Sequence, residues 1–253
     1  MRKSVWKIGI GLMAFVCLLL SACGEYPDEY KAELNIEKQG EVPVEIPAST
    51  EEPTRGYWTV IPAGIQKQMA GISMPEGASV TYDDLAYLTI PHINYLGERA
   101  EGHLVVDRTL AEEVLDIFDE LYQMKFPIEK MELIDNYLPY IDSTFDNLDR
   151  ASMGQNNTSA FYYRVVNGTA TISNHAYGRA IDINPKINPY CIPAEGYVSP
   201  ANAYPYADRT KNFPGAIRHG DAVYTAFVSR GWEWGGDWEG EKDYQHFQKP
   251  PEQ

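Results

Sequence analysis

Residues Ser173–Pro185 read SNHAYGRAIDINP. The second half, RAIDIN, has the composition of a strand and sets Asp182 between Ile181 and Ile183. Successive side chains of a strand face opposite sides, so the two isoleucines turn into a core and Asp182 turns toward a cleft. His175 sits before the strand, and Gly178 lets the chain fold back so that the imidazole can meet the carboxylate. A second stretch, DYQHF at Asp243–Phe247, reads as a last strand in which Gln245 and Phe247 point away from His246. Asp243 and His246 are three positions apart and would face opposite sides of a regular strand. They share a site only if Asp243 belongs to the turn entering the strand, and GEKDY at Gly240–Tyr244 suits such a turn.

Working outward, LAYLTIPHINYL (Leu85–Leu96) and GHLVVD (Gly102–Asp107) are strand-like. Leu110, Val114, Ile117, Phe118 and Leu121 recur at helical spacing and predict a helix over Arg108–Lys125, with Pro127 helping to stop it. IEKMELI (Ile128–Ile134) alternates like a strand with one buried face. SAFYYRVV (Ser159–Val166) predicts another strand, closed by an Asn167–Gly168 turn. Asp221–Arg230 predicts a short helix with Asp221 as N-cap and Gly231 as stop. Strands and helices do not alternate regularly. The expected class is α+β, a small antiparallel sheet flanked by helices with the site in a cleft on the sheet, rather than a doubly wound parallel fold.

The chain opens with the basic MRKSVWK and the apolar IGIGLMAFVCLLL, an export signal over residues 1–22. LSAC (Leu20–Cys23) resembles the bacterial lipobox, which implies that Cys23 is lipidated and becomes the mature N-terminus. Residues 23–55 are rich in Glu and Pro with sparse large apolar residues, an acidic flexible tether. One domain then spans 56–253, its core over about 80–250. Of the three cysteines only Cys191 remains for that domain, so no intramolecular disulfide is available and the fold rests on its core or on a metal. Cys191 reads as a small packed side chain. The chain carries 21 basic and 36 acidic residues; Arg2, Lys3 and Lys7 leave with the signal, so 18 basic residues face 36 acidic ones, a charge of −18. That excludes nucleic acid and charge-driven adhesion to anionic lipid.

His175, Asp182 and His246 would give a metal two nitrogens and one oxygen, the three protein ligands of a catalytic zinc site. Taken singly these residues have plainer readings: a hydrogen-bonded structural histidine, or an aspartate that caps or pairs. The HExxH motif is absent. An unliganded carboxylate near such a metal, as Asp243 would be, could relay a proton from water to a leaving amine.

Taken together the motifs resemble the zinc D-alanyl-D-alanine carboxypeptidase family, which includes VanY-type carboxypeptidases and phage L-alanyl-D-glutamate endopeptidases. The family pattern is S-x-H, G-x-A-x-D and a distant acid-x-x-H. Here it reads Ser173-Asn174-His175, Gly178-Arg179-Ala180-Ile181-Asp182 and Asp243-Tyr244-Gln245-His246. INPKINPY (Ile183–Tyr190) and GWEWGGDW (Gly231–Trp238) match one branch, and the similarity runs from about Leu85 to Lys249. The resemblance implies one Zn2+ per chain on His175, Asp182 and His246, with Asp243 as catalytic base. Arg164 matches an upstream arginine that binds a substrate carboxylate or the oxyanion, against the plainer reading of a surface salt bridge. Ser173 either binds substrate near the site or shapes the turn. His92, His103 and His219 are not expected as ligands. Trp232, Trp234 and Trp238 are divided between core and cleft wall, and Asn184, Pro185, Asn188 and Pro189 fix the loop after the metal strand.

The implied activity is hydrolysis of peptidoglycan stem peptides, removing a terminal D-alanine, by a protein held outside the cytoplasm on a lipid anchor. No protein partner is expected. The acid is Asp here, as in the endopeptidase branch, whereas VanY-type members more often have Glu; internal cleavage between L-Ala and D-Glu is therefore the enzymatic alternative. A non-catalytic wall-binding lipoprotein is the alternative from another class.

Overall fold

The computed structural model describes residues 55–166 and 168–251. The signal segment, Cys23 and the tether up to Thr54 lie outside the described residues.

The chain begins with β1 (Tyr57–Thr59) and α1 (Ala63–Met69), then β2 (Leu85–Ile93) and β3 (Arg99–Asp107). These strands form one antiparallel sheet in the order β1-β2-β3, with β2 and β3 paired from Leu85↔Asp107 to Ile93↔Arg99. Asn94 Oδ1 closes the hairpin by accepting from Leu96 N and Glu98 N. Asp107 accepts from Thr109 N and starts a short 3-10 turn that leads into α2 (Ala111–Gln123). Val114, Leu115, Ile117, Phe118 and Leu121 line the buried stripe of α2 and join Leu88, Ile90, Leu104 and Val106 in the main core. Each such side chain contributes roughly 1.5–3 kcal/mol by leaving water.

The next segment holds β4 (Lys130–Met131), α3 (Leu148–Gly154) and β5 (Asn157–Thr158), with β4 and β5 parallel. The strand expected over Ile128–Ile134 shrinks to two residues. At Glu132 the side-chain amide of Asn157 replaces the ladder, accepting from Glu132 N and donating to Glu132 O, and a 3-10 helix starts at Ile134. The strand expected over Ser159–Val166 is also corrected. Ser159 N donates to Asp182 O, Phe161 N to Val105 O, Tyr162 N to His175 O, Tyr163 N to Ser73 O and Val166 N to Thr171 O, so its backbone bonds are scattered instead of following one ladder.

The rest of the domain contains β6 (Ala180–Asp182), β7 (Tyr190–Ile192), β8 (Tyr197–Ser199), α4 (Ala222–Val228), β9 (Glu233–Trp234), β10 (Lys242–Asp243) and β11 (His246–Gln248). They make two small antiparallel sheets, β6-β11-β9 and β10-β7-β8. Asp221 caps α4 by accepting from Tyr224 N, as its place in the sequence predicts. The last strand is split: Asp243 belongs to one sheet and His246 to the other, with Tyr244 and Gln245 between them. The architecture is α+β with small antiparallel sheets. Ile181, Ile183 and Phe247 join the α2 core, and Phe247 stacks on Phe227 of α4 with ring centroids 4.0 Å apart. Cys191 is a buried free thiol, which burial pushes up to about 11.

Phe227→Ala should remove the ring that joins α4 to β11 and cost about 3–5 kcal/mol. Urea unfolding of the metal-free protein measures this, and a loss below about 1 kcal/mol would mean that the ring is not the joint described.

Candidate metal centre

His175 lies in a 3-10 turn (Asn174–Tyr177) capped by Ser173, whose Oγ accepts from His175 N at 3.3 Å. The turn ends at Gly178 with φ +66. A Cβ there would sit 2.4 Å from Asp107 N and 2.7 Å from Val106 C. Only glycine permits both the left-handed conformation and this close approach to β3. The turn thereby swings His175 back over the strand it precedes.

Asp182 exchanges both backbone bonds with Ser159, at 3.0 and 2.9 Å, and pairs directly with His246 across β6 and β11. Its neighbours Ile181 and Ile183 are in the core. The alternation expected from RAIDIN holds, and it leaves Asp182 and His246 side by side on the cleft face.

The three side chains are buried and converge. His246 Nδ1 is 2.9 Å from Asp182 Oδ1, His175 Nε2 is 3.3 Å from Asp182 Oδ2, and the two imidazole nitrogens are 3.2 Å apart. A tetrahedral zinc with bonds of about 2.0–2.1 Å separates its ligand atoms by about 3.3 Å. The donor set and its spacing therefore fit a zinc ion. Support comes from the far side of each ring. His175 Nδ1 is 2.5 Å from Ala160 O and His246 Nε2 is 3.1 Å from Gln248 Oε1. Both carbonyls only accept, so those nitrogens carry the hydrogens and the facing nitrogens offer lone pairs. Gln248 is held in turn, donating to Glu233 Oε2 at 2.9 Å while its Oε1 accepts from Asn174 Nδ2 at 2.8 Å.

The electrostatics agree. Burial pushes the Asp182 carboxyl up, but His175 and His246 outweigh it and hold the group well below the carboxylate range. Burial opposes charge on His175, and Asp182 outweighs it to raise that imidazole.

Asp243 stands in β10 opposite Tyr190. Its Oδ1 is closed off from solvent without a hydrogen-bond partner, although part of the residue remains accessible. Burial pushes its carboxyl up to about 7; His246 and Arg164 pull the other way, and Asp182 and Asp149 add to the rise. Gly235 makes room for it, since a Cβ there would lie 2.7 Å from Asp243 O. The tryptophans divide. Trp232 and Trp234 are in the core, and Trp238 is half-buried with its ring centroid 5.4 Å from His246.

Arg164 lies on the irregular segment after β5 and pairs with Asp149 at 2.9 Å, each side chain 26% exposed. Its Nε is buried and unpartnered. Burial alone would lower its pKa, but Asp149 and Asp182 raise it. His92 is buried in β2, His103 stacks on Tyr87, and His219 pairs with Asp237, all outside the cluster. Asn184 and Asn188 hold the loop after β6 by donating to Pro127 O, Gly215 O and Ile183 O.

Sequence reasoning missed Asp149, Glu233, Asn174 and Gln248. Gln248 was within reach, because it lies two residues after His246 on the same strand face. Gln245 corrects an expectation: it precedes β11, so the strand alternation does not apply, and its Nε2 turns to Asp182 Oδ2 at 3.4 Å.

Residues 167–249 match the family model described as D-alanyl-D-alanine carboxypeptidase. The match supports the VanY-type family of peptidoglycan metallopeptidases. It contains His175, Asp182, Asp243 and His246 and begins after Arg164. It is narrower than the similarity read from Leu85 onward. No curated protein and no solved structure gives a significant match.

Gln248→Leu should weaken zinc binding about 10–100-fold, because His246 loses the acceptor that fixes its tautomer. Competition against a chromophoric chelator reads this directly, and Gln248→Glu should retain most of the affinity. Equal affinity in all three proteins would dismiss the Gln248 contact as incidental.

Proposed function

We propose that the chain is a zinc-dependent peptidase that shortens peptidoglycan stem peptides by their terminal D-alanine. The family match gives the coarser statement, a metallopeptidase of the D-alanyl-D-alanine carboxypeptidase type. The observation that carries the hydrolytic mechanism, whichever bond is cut, is Asp243 Oδ1: a buried carboxylate oxygen without a partner, beside three convergent metal donors. When bound, zinc supplies Lewis acidity, polarising a carbonyl and acidifying water. Asp243 accepts the proton of the attacking water and returns it to the leaving amine, a task suited to a carboxyl raised toward neutrality. Arg164 donates from its free Nε to the substrate carboxylate or oxyanion. Ser173 acts by fixing the His175 turn, and Trp238 walls the cleft beside His246. The proposal includes lipidation at Cys23 and an extracytoplasmic location, on the strength of the signal and LSAC. Among the described residues no helix is long and apolar enough to cross a membrane.

A second reading, cleavage between L-Ala and D-Glu by the same site, is favoured by Asp rather than Glu at position 243. Mass spectrometry of defined muropeptides incubated with the full chain, with and without chelator, separates the two. Chelator-sensitive loss of one terminal alanine supports the first, and release of the stem at L-Ala–D-Glu supports the second. No cleavage by a zinc-loaded, folded protein would overturn both.

Asp243→Asn should lower kcat at least 100-fold while zinc stays bound. The same change should stabilise the metal-free fold in a pH-dependent way. At pH 4 the folded wild type keeps Asp243 protonated, and the unfolded chain is near its own pKa. Above about 7 the folded wild type must bury a carboxylate that the unfolded chain solvates freely, so stability is lost as pH rises toward that value. Melting curves should show the variant ahead by about 3 °C or more at pH 8 and level with wild type at pH 4.

A further inference from the structure

Each metal donor is held from outside the cluster. His175 Nδ1 meets Ala160 O and His246 Nε2 meets Gln248 Oε1. Asp182 is held by the side chain of Gln245, whose Nε2 donates to Oδ2 at 3.4 Å. The other partners of that carboxylate among the described residues are His175 and His246, both metal donors themselves. The backbone bonds of Asp182 go to Ser159. They fix the main chain but leave the carboxylate to turn about its terminal bond, a broad and roughly two-fold torsion.

Gln245 is ill suited to a purely structural task. The residue is only 3% exposed, and its Oε1 has no partner. Its place in the chain is held by the backbone instead, since Gln245 O accepts from Ile183 N at 3.0 Å and continues the β6–β11 ladder. A buried acceptor without a partner costs free energy that an apolar side chain of the same length would not. Chemistry also sets which end of the amide faces Asp182: turned over, its oxygen would confront another acceptor.

We infer that Gln245 is a positioning residue for the metal: by bonding Oδ2 it leaves Oδ1 as the one oxygen that Asp182 gives to the ion. This rests on the proposed zinc reading. A catalytic zinc site has three protein ligands and keeps a further position open. A carboxylate that turned both oxygens inward would fill that position, and it would suit ions that prefer oxygen donors, such as Mn2+. With Oδ2 engaged by an amide, Asp182 stays a single-oxygen ligand. Gln245 thereby completes a set of three supports, one behind each donor, and its sense is reversed as the chemistry requires: the imidazoles donate to their supports, and the carboxylate accepts from its own.

The test compares the full chain with its Gln245→Met variant, which keeps the length of the side chain and removes both the donor and the unmatched acceptor. Chelator competition should show the ratio of zinc to Mn2+ affinity falling about tenfold in the variant. The visible absorption of the Co2+-loaded variant should weaken, because the ion gains an oxygen and leaves tetrahedral geometry. Without metal, the variant should melt at or above the wild-type temperature, since a buried unmatched acceptor is gone. An unchanged affinity ratio or an unchanged cobalt spectrum would overturn the inference and leave the zinc reading standing. A metal-free variant that melts below wild type would overturn it too, by making the amide a prop of the fold. If wild type takes up neither zinc nor cobalt, the zinc reading fails and takes the inference with it.

Discussion

The site depends on one register, Asp182 opposite His246 in the antiparallel pair of β6 and β11. Directly opposite residues of such a pair bring their side chains within about 4.5–5.5 Å at Cβ, and a strand that slips by one residue moves all of its side chains to the other face. The core prevents that shift. Ile181, Ile183 and Phe247 are fully buried in the core shared with α2 and α4, so a slip of β6 would turn two isoleucines out of it and a slip of β11 would turn out Phe247. Two metal donors are thus fixed by apolar packing, before any ion is considered. The third, His175, is set by a separate device: a serine-capped turn and a left-handed glycine pressed against β3.

This arrangement answers what holds the fold in a domain without a disulfide. The buried cluster of β2, β3, α2 and α4 includes residues from both ends of the domain, and it lies behind the metal donors. An ion's contribution there would be local. It would meet two imidazoles and a carboxylate, and the far sides of the rings are already held by Ala160 O and Gln248. A preformed donor set of this kind differs from that of small zinc domains, in which binding and folding are one event.

The sequence made the metal donors legible because their placement follows from short-range rules. Alternation in RAIDIN placed Asp182, a glycine allowed the turn at His175, and the three-residue spacing separated Asp243 from the strand of His246. Helical periodicity read α2 correctly, and Asp221 read as a cap. What failed depended on hydrogen-bond partners that the local sequence does not specify. Asn157 truncated the Ile128–Ile134 strand through its amide. The Ser159–Val166 segment has strand composition, yet its amides are scattered among Asp182, Val105, His175, Ser73 and Thr171, most of which no local pattern ties to it. Asp149 was invisible for the same reason: its partner Arg164 is brought to it by that irregular path.

Satisfaction of polar groups breaks down at Arg164 on that path and again just before β11. Among the described residues the buried side-chain atoms without a partner are Ser73 Oγ, His92 Nδ1, Asp119 Oδ1, Arg164 Nε, Asp243 Oδ1 and Gln245 Oε1, and the last two belong to the residues just before His246. Leaving such a group unpaired costs about 1–3 kcal/mol, more if it is charged. A fold with ample carbonyls and amides nearby could have paired them, as it does for Asn184 and Asn188 in the adjoining loop. Under the proposed reading, the stability forgone at Arg164 Nε and Asp243 Oδ1 would return as binding energy when a peptide supplied the missing partners.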